Sequence, residues 1–233
     1  MSAESLGTGL AYYVAFLFSV TLHEAAHAWA AKLGGDLTAY EGGQVTLDPI
    51  PHIRREPFGM VLLPIVTLIF FHWPWGYASA PFNRHWAVNH PRRAGWMALA
   101  GPAANLALMI ATGLVIRAGM AAGVLQVPTS ISFDHVVGAI DGWQGAAFML
   151  SVFFSLNLLL AVLNMIPVPP LDGSTAVLLL MSPSAGRGWL RVLWTNPMLG
   201  WIGLLVAWNV FPSIFGPAFS GILSVLYAGT GFR

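Results

Sequence analysis

His23, Glu24 and His27 stand together as HEAAH inside an otherwise apolar stretch. In a helix, residues four apart share one face and sit about 6 Å apart along the axis. Two imidazoles so placed can converge on one zinc ion. Glu24 follows the first of them, where a carboxylate can serve as general base toward water that the metal polarises. Zinc lowers the pKa of such a water to about 7, so attack on a peptide carbonyl needs neither a serine nor a cysteine nucleophile. The plain alternative is three polar residues pairing inside a helical bundle. The setting weighs against it. One acidic residue inside a membrane span costs roughly 2.5–3.5 kcal/mol on insertion scales, and three ionisable groups together call for a function or a strong partner.

Two histidines leave a zinc ion short of a third protein ligand. The best candidate is Asp172, the one acidic residue beyond Asp141, in the broken segment PPLDG. Proline pairs let a chain bend at membrane depth, which is tolerated only against protein or a water-filled cavity. Asp172 could equally cap the helix that begins at Gly173. The residues themselves leave ligand and cap both open.

The elements that must position these groups are membrane elements. The 233 residues are 57% hydrophobic and 8% charged, against about 25% charged in a soluble domain. So few charges cannot cover a water-soluble globule, and lipid must cover much of the surface. A net charge of +1 gives no electrostatic case for nucleic acid. The absence of cysteine excludes disulfides, iron–sulfur clusters and thiolate zinc sites. The N-terminal MSAESLGTGL lacks the positive region of a secretory signal and is expected to be retained.

Leu10 to Leu33 reads as a first span ending at the Gly34-Gly35 breaker. TAYEGGQVTL, residues 38–47, carries two short strand-like runs around Gly42-Gly43 and predicts a small β-hairpin. DPIPHIRREP follows as loop. Phe58 to Trp75 is apolar but interrupted by Pro64 and Pro74; barely long enough to cross, it could span or re-enter on the same side, and charge asymmetry favours the re-entrant reading. Ala94 to Val115, containing GPAAN, and Trp143 to Ile166 are clear spans, separated by a loop at 118–142 with little pattern. Leu193 to Val210 and Ser213 to Ala228 are two further apolar stretches divided by Pro212. The expected fold is an all-α polytopic membrane protein of about five to six transmembrane segments. It forms one domain over 1–233, with a catalytic core at about 10–182 and extra C-terminal membrane segments at about 190–230. With 58–75 re-entrant, Lys32, Arg54, Arg55, Arg84, Arg92, Arg93, Arg187 and Arg191 share one side and Arg117 takes the other. Positive charge marks the crowded side as cytoplasmic.

HEAAH (23–27), GPAAN (101–105) and NMIPVPPLDG (164–173), in this order, resemble the site-2 protease family of intramembrane zinc metalloproteases. GQVTLDPIPHI (43–53) and GYASAPFNRHWAVNHPRR (76–93) are similar to the connecting segments of its compact bacterial and archaeal members. The resemblance covers roughly residues 10–182, and the three motifs together are highly specific. It implies that His23, His27 and Asp172 bind one zinc ion per chain and that Glu24 is the catalytic base. It also implies that Asn164 positions substrate or stabilises an oxyanion, a role open to an amide donor. An interhelical hydrogen bond is the other reading of Asn164. Asn105 falls on the GPxxN asparagine and is a second, weaker substrate-binding candidate. It leans to a structural role, because Gly101, Ala103 and Ala104 let helices approach closely. Compact members often carry Lys-Pro after Gly-Trp-Ala, whereas this chain reads Gly76-Tyr77-Ala78-Ser79-Ala80-Pro81. Any lysine-dependent contact is therefore lost, with the catalytic set intact. The chain has no room for the PDZ or CBS domain of larger relatives, so selection and regulation fall to the membrane core or to a separate regulatory membrane protein.

Among the other histidines, His52 and His85 are the ones that the resemblance places near the site; His72, His90 and His135 read as loop residues. The tryptophans mostly mark span ends as an interfacial belt. The functional expectation is an endopeptidase in a prokaryotic inner membrane that cuts transmembrane protein substrates near the cytoplasmic side. The predicted hairpin would bind the unwound substrate by strand addition. The alternative is a non-proteolytic membrane protein that binds or transports a metal ion through a His/Asp site.

Overall fold

The computed structural model describes residues 3–71 and 73–230; His72 lies outside the described residues. The chain is helical apart from one small antiparallel strand pair. In order it forms α1 (Ala3–Leu33), α2 (Thr38–Glu41), α3 (Pro49–Arg55), a π-helical turn (Phe58–Leu62) continuing into α4 (Leu63–Phe71), α5 (Arg84–Asn89) and α6 (Pro91–Ala121). After α6 come β1 (Leu125–Gln126), β2 (Gly138–Ala139), α7 (Gln144–Asn164), α8 (Gly173–Ala176), a 3-10 turn (Val177–Leu180), α9 (Pro183–Thr195) and α10 (Met198–Leu226).

Among the described residues, α6, α7 and α10 are long and apolar enough to cross a membrane. At 31 residues α1 is equally long and carries His23, Glu24 and His27. α1, α6 and α7 pack on one another and form the frame of the site. One buried cluster lies between α1 and α7 around Phe16, Val20, Val152 and Leu156. Another lies between α6, α7 and the end of α10 around Met109, Ile116, Phe154 and Leu223.

Two expectations about elements are corrected here. Residues 38–47 are not a hairpin. Asp36 Oδ1 accepts from the Thr38 backbone N–H and hydroxyl, which starts the single helical turn α2. Gly43, at φ +72°, then ends it, with Gln44 N–H donating to the Ala39 carbonyl and Gly43 N–H to Tyr40. A left-handed glycine serves a helix C-terminus as well as a hairpin turn, and the upstream cap decides between them. Gly35 ends α1 in the same way, at φ +93°, through Asp36 N–H to the Ala31 carbonyl and Gly35 N–H to Lys32. The strand pair lies instead in the 118–142 loop, with Leu125 opposite Ala139; two-residue strands are too short to show alternation.

The second correction concerns the C-terminal stretches. They are one helix, α10, with Pro212 and Pro217 inside it, and residues 193–195 belong to α9. Prolines interrupt helices in water but are tolerated in membrane helices. The two C-terminal stretches thus count as one segment, and among the described residues three helices have membrane length and composition. The π-turn and α4 together form a shorter apolar helix, Phe58–Phe71. Its 14 residues span about 21 Å, less than the roughly 30 Å hydrocarbon core.

The positive residues gather at one end of the bundle. Arg93 Nη1 and Trp86 Nε1 both donate to the Gly34 carbonyl, which joins the C-terminus of α1 to α5 and the N-terminus of α6. Arg84 lies over the Trp194 ring of α9, and α9 carries Arg187 and Arg191. Arg117, near the far end of α6, donates to the carbonyls of Leu226 and Ala228. Tryptophans do more than mark interfaces: Trp86 is buried, and the Trp189 indole donates to the Ser174 carbonyl.

Candidate metal centre

His23 and His27 project from one face of α1, as their spacing requires, with ring centroids 4.6 Å apart. The two Nε2 atoms lie 2.9 Å from each other. The segment after α7 brings Asp172 to them, its Oδ2 3.0 Å from His23 Nε2 and 3.3 Å from His27 Nε2. Asp172 occupies the N-cap position of α8, yet its side chain makes no capping hydrogen bond. Its backbone carbonyl accepts from Thr175 and Ala176 instead. Between the two readings of this residue, the carboxylate serves the histidines and not the helix end. Gly173 permits that turn, since a Cβ there would lie 2.4 Å from the Ile166 carbonyl oxygen.

The donor set suits a metal. His23 Nδ1–H donates to Asn105 Oδ1 at 2.5 Å, and His27 Nδ1–H donates to the Met97 carbonyl at 2.7 Å. A carbonyl oxygen only accepts, so each imidazole keeps its proton on Nδ1 and presents a lone pair at Nε2. Two Nε2 atoms and a carboxylate oxygen then face one another, an arrangement that could hold a metal ion. The edge of a tetrahedral zinc site is about 3.3 Å at ordinary Zn–N and Zn–O lengths, and the three contacts here run from 2.9 to 3.3 Å. Gly101 of α6 closes the other side of this cradle. A Cβ on Gly101 would lie 2.3 Å from His27 Nε2 and 2.5 Å from His23 Nε2, so any side chain would fill the cradle. Gly101 thus makes room for the ligand atoms themselves, beyond easing helix approach.

Glu24 is buried beside His23, and its Oε2 has no hydrogen-bond partner in the protein. An unpaired buried carboxylate oxygen is costly. The histidine side chains are 8% exposed and Asp172 23%, so the centre opens on the side of the 165–172 segment.

Asn105 is fully buried and faces His23. Asn164 Nδ2 donates to the Leu160 carbonyl one turn back on its own helix, and among the described residues no hydrogen bond joins its side chain to the cluster or to another helix. His52 is buried and donates through Nε2 to the Thr46 carbonyl, while His85 is exposed; neither is bonded to the cluster. Sequence reasoning missed the Met97 carbonyl, which no side-chain pattern reveals. It also missed Asn157 and Ser19, which bond to Asn105. An asparagine in the middle of an apolar span, the signal given by Asn157, would have found the first of these.

The His/His/Asp cluster, buried among long apolar helices, could hold a metal ion, and the chain belongs to peptidase family M50, whose profile matches residues 11–188. This is the zinc metalloprotease family that the three motifs resemble. The chain is similar to YwhC of Bacillus subtilis, 34% identical over 161 residues, which cover 69% of this chain and 64% of that protein. It is similar to Rip2 of Mycobacterium tuberculosis, 32% identical over 205 residues, covering 83% of this chain and 70% of that protein. Rip2 of Mycolicibacterium smegmatis is 28% identical over 237 residues, covering 97% and 80%. These relatives are provisionally named as zinc metalloproteases. No solved structure matches the chain.

Proposed function

We propose that this protein is an intramembrane zinc endopeptidase that hydrolyses peptide bonds in or near the transmembrane segments of substrate proteins. The observation that carries the reading is the convergence of two Nε2 lone pairs and the Asp172 carboxylate beside an unpartnered Glu24, within a chain of family M50. His23, His27 and Asp172 would hold one zinc ion per chain, which would supply Lewis acidity toward water near neutral pH. Glu24 would take a proton from water and pass it to the leaving nitrogen. A helical substrate hides its carbonyls, so it must unwind before it reaches the Asp172 side of the centre.

The membrane placement follows from charge and depth. α1, α6, α7 and α10 cross the bilayer of a prokaryotic cell, and Phe58–Phe71 enters and leaves on one side. The end that carries Lys32, Arg84, Arg92, Arg93, Arg187 and Arg191 is cytoplasmic by the positive-inside rule. His27 lies only about 7.5 Å along α1 from Lys32, so cleavage occurs toward the cytoplasmic side. The lipid bilayer covers the outward faces, and a separate membrane protein could regulate access. Strand addition at 38–47 has no support, because that segment is a helical turn.

A metal-transport site has no use for a base beside its first ligand, and Glu24 separates the two readings. Glu24→Gln is expected to keep bound zinc and to lower cleavage of a model transmembrane substrate by at least about 10²-fold. Cleavage at the wild-type rate in the zinc-loaded variant would end the mechanism as written.

A further inference from the structure

The amide of Asn105 faces His23 through its oxygen, and that choice sets the protonation pattern of a metal ligand. An asparagine side chain is nearly symmetric in shape. Turned over, it would present its NH2 to Nδ1, and the His23 proton would have to move to Nε2, the atom that must donate a lone pair. Something must therefore hold the amide one way round.

Four groups do so. Asn105 Nδ2 donates to the Ser19 carbonyl at 3.2 Å and to Asn157 Oδ1 at 2.8 Å. Asn157 is itself an amide that could turn over, but its Nδ2 donates to the Phe153 carbonyl at 2.8 Å and to Ser19 Oγ at 2.9 Å. The Phe153 carbonyl can only accept, so it fixes Asn157 with its oxygen toward Asn105. Asn105 is fixed in turn with its oxygen toward His23. Ser19, Asn105 and Asn157 are each 0% exposed, so no solvent can substitute for a missing partner. The sequence of bonds runs from a main-chain carbonyl on α7, through α6, to the first metal ligand on α1. All three helices are those that frame the site.

We propose that Asn157 and Asn105 are positioning residues that act in series to hold His23 in the tautomer whose Nε2 lone pair faces the metal. Neither touches the ion or the substrate. The inference rests on the reading of His23, His27 and Asp172 as a metal site, and the test separates the two. A partner that orients a metal-bound histidine typically changes metal affinity by about 10–100-fold when removed.

The test uses the whole chain purified in detergent, with zinc affinity measured by chelator competition and the visible spectrum recorded after loading with Co²⁺. Asn105→Leu is expected to weaken zinc by about tenfold or more. Asn105→Asp, with its second oxygen protonated toward Asn157 Oδ1, keeps an acceptor toward His23 Nδ1–H and is expected to restore affinity to within about threefold. Asn157→Leu frees the Asn105 amide of one of its two anchors and is expected to weaken zinc about three- to tenfold and to shift the Co²⁺ bands. Ser155→Ala, on the same helix and equally buried but with an unpartnered hydroxyl, is the packing control and leaves both readouts unchanged. If Asn157→Leu binds zinc like the wild type with an unaltered Co²⁺ spectrum, the series is overturned while the metal site stands. Equal loss in Asn105→Leu and Asn105→Asp also overturns it, and that comparison decides the matter should Asn157→Leu fail to fold. If the wild type binds neither ion, the metal site fails, and the series with it.

Discussion

Glu24 and Gly101 are the two residues at which the chemistry of this centre is most exposed to a single change. Glu24 carries a buried oxygen with no protein hydrogen-bond partner. Gly101 is constrained by contact and not by conformation. An added methyl would sit 2.3 Å from His27 Nε2, in the space toward which the lone pairs point. Gly101→Ala is therefore expected to lower zinc affinity by at least about tenfold while the helices still form, read as metal content after dialysis alongside the helical CD signal. Full zinc content in that variant would show that the cradle is wider than described. Asp172→Ala removes the only carboxylate among the three ligands and is expected to leave the purified protein without stoichiometric zinc, as measured by elemental analysis; full occupancy would remove Asp172 from the ligand set.

Among the elements, the short ones do the fixing. Asp36 is buried and accepts from Thr38 through Oδ1 and from the Asn83 backbone N–H through Oδ2. It starts α2 and ties the segment before α5 to the end of α1. Asp36→Ala would remove these three part-buried hydrogen bonds to a carboxylate, at a cost of about 1–3 kcal/mol. The expected result is a lower unfolding midpoint with zinc affinity retained, since no bond of Asp36 reaches the cluster. At the opposite end, Asp134 ties the loop before β2 to α1. Burial raises its carboxyl pKa, but hydrogen bonds from Ser132 and Tyr12 outweigh this and hold it below the usual range. A depressed carboxylate stabilises the fold above its ordinary pKa of about 4 and loses that contribution as pH falls further. Hydrogen exchange in the 132–137 segment should therefore quicken below about pH 4 in the wild type but show no such step in Asp134→Asn.

For the whole molecule, the distribution of charge predicts an orientation. Arg187 and Ser130 are both exposed and lie toward opposite ends of the bundle, Arg187 with the cationic end and Ser130 in the loop beyond Arg117. The chain has no cysteine, so single cysteines can be placed without background. In intact cells an impermeant thiol reagent is expected to label Ser130→Cys and to spare Arg187→Cys until the membrane is opened. Labelling of both from outside would refute the proposed topology. At the same scale, α10 shows how much of this molecule is built for lipid. Its most apolar window is only 11% buried, and where it does touch the core, Gly203 packs so closely on the Pro169 carbonyl that a Cβ would lie 1.7 Å from it. The helix thus backs the same segment that carries Asp172.

The sequence by itself determined what is local. HEAAH places two imidazoles and a carboxylate on one helix because the period of the helix is fixed by the backbone. The low charge content determined a membrane class because uncovered apolar surface needs lipid. It left open whether Asp172 capped α8 or met the histidines, because both uses need the same residue at the same place in the chain. It misassigned Gly42-Gly43, because a positive φ serves a hairpin and a helix end alike. It was silent on Asn157 and on the Met97 carbonyl. Packing of α1, α6 and α7 decided these points, bringing together groups 149 residues apart in the chain, His23 and Asp172, and 52 apart, Asn105 and Asn157. No period encodes contacts of that separation. They are fixed only when burial removes water as an alternative partner and each polar group must find its donor or acceptor in the protein.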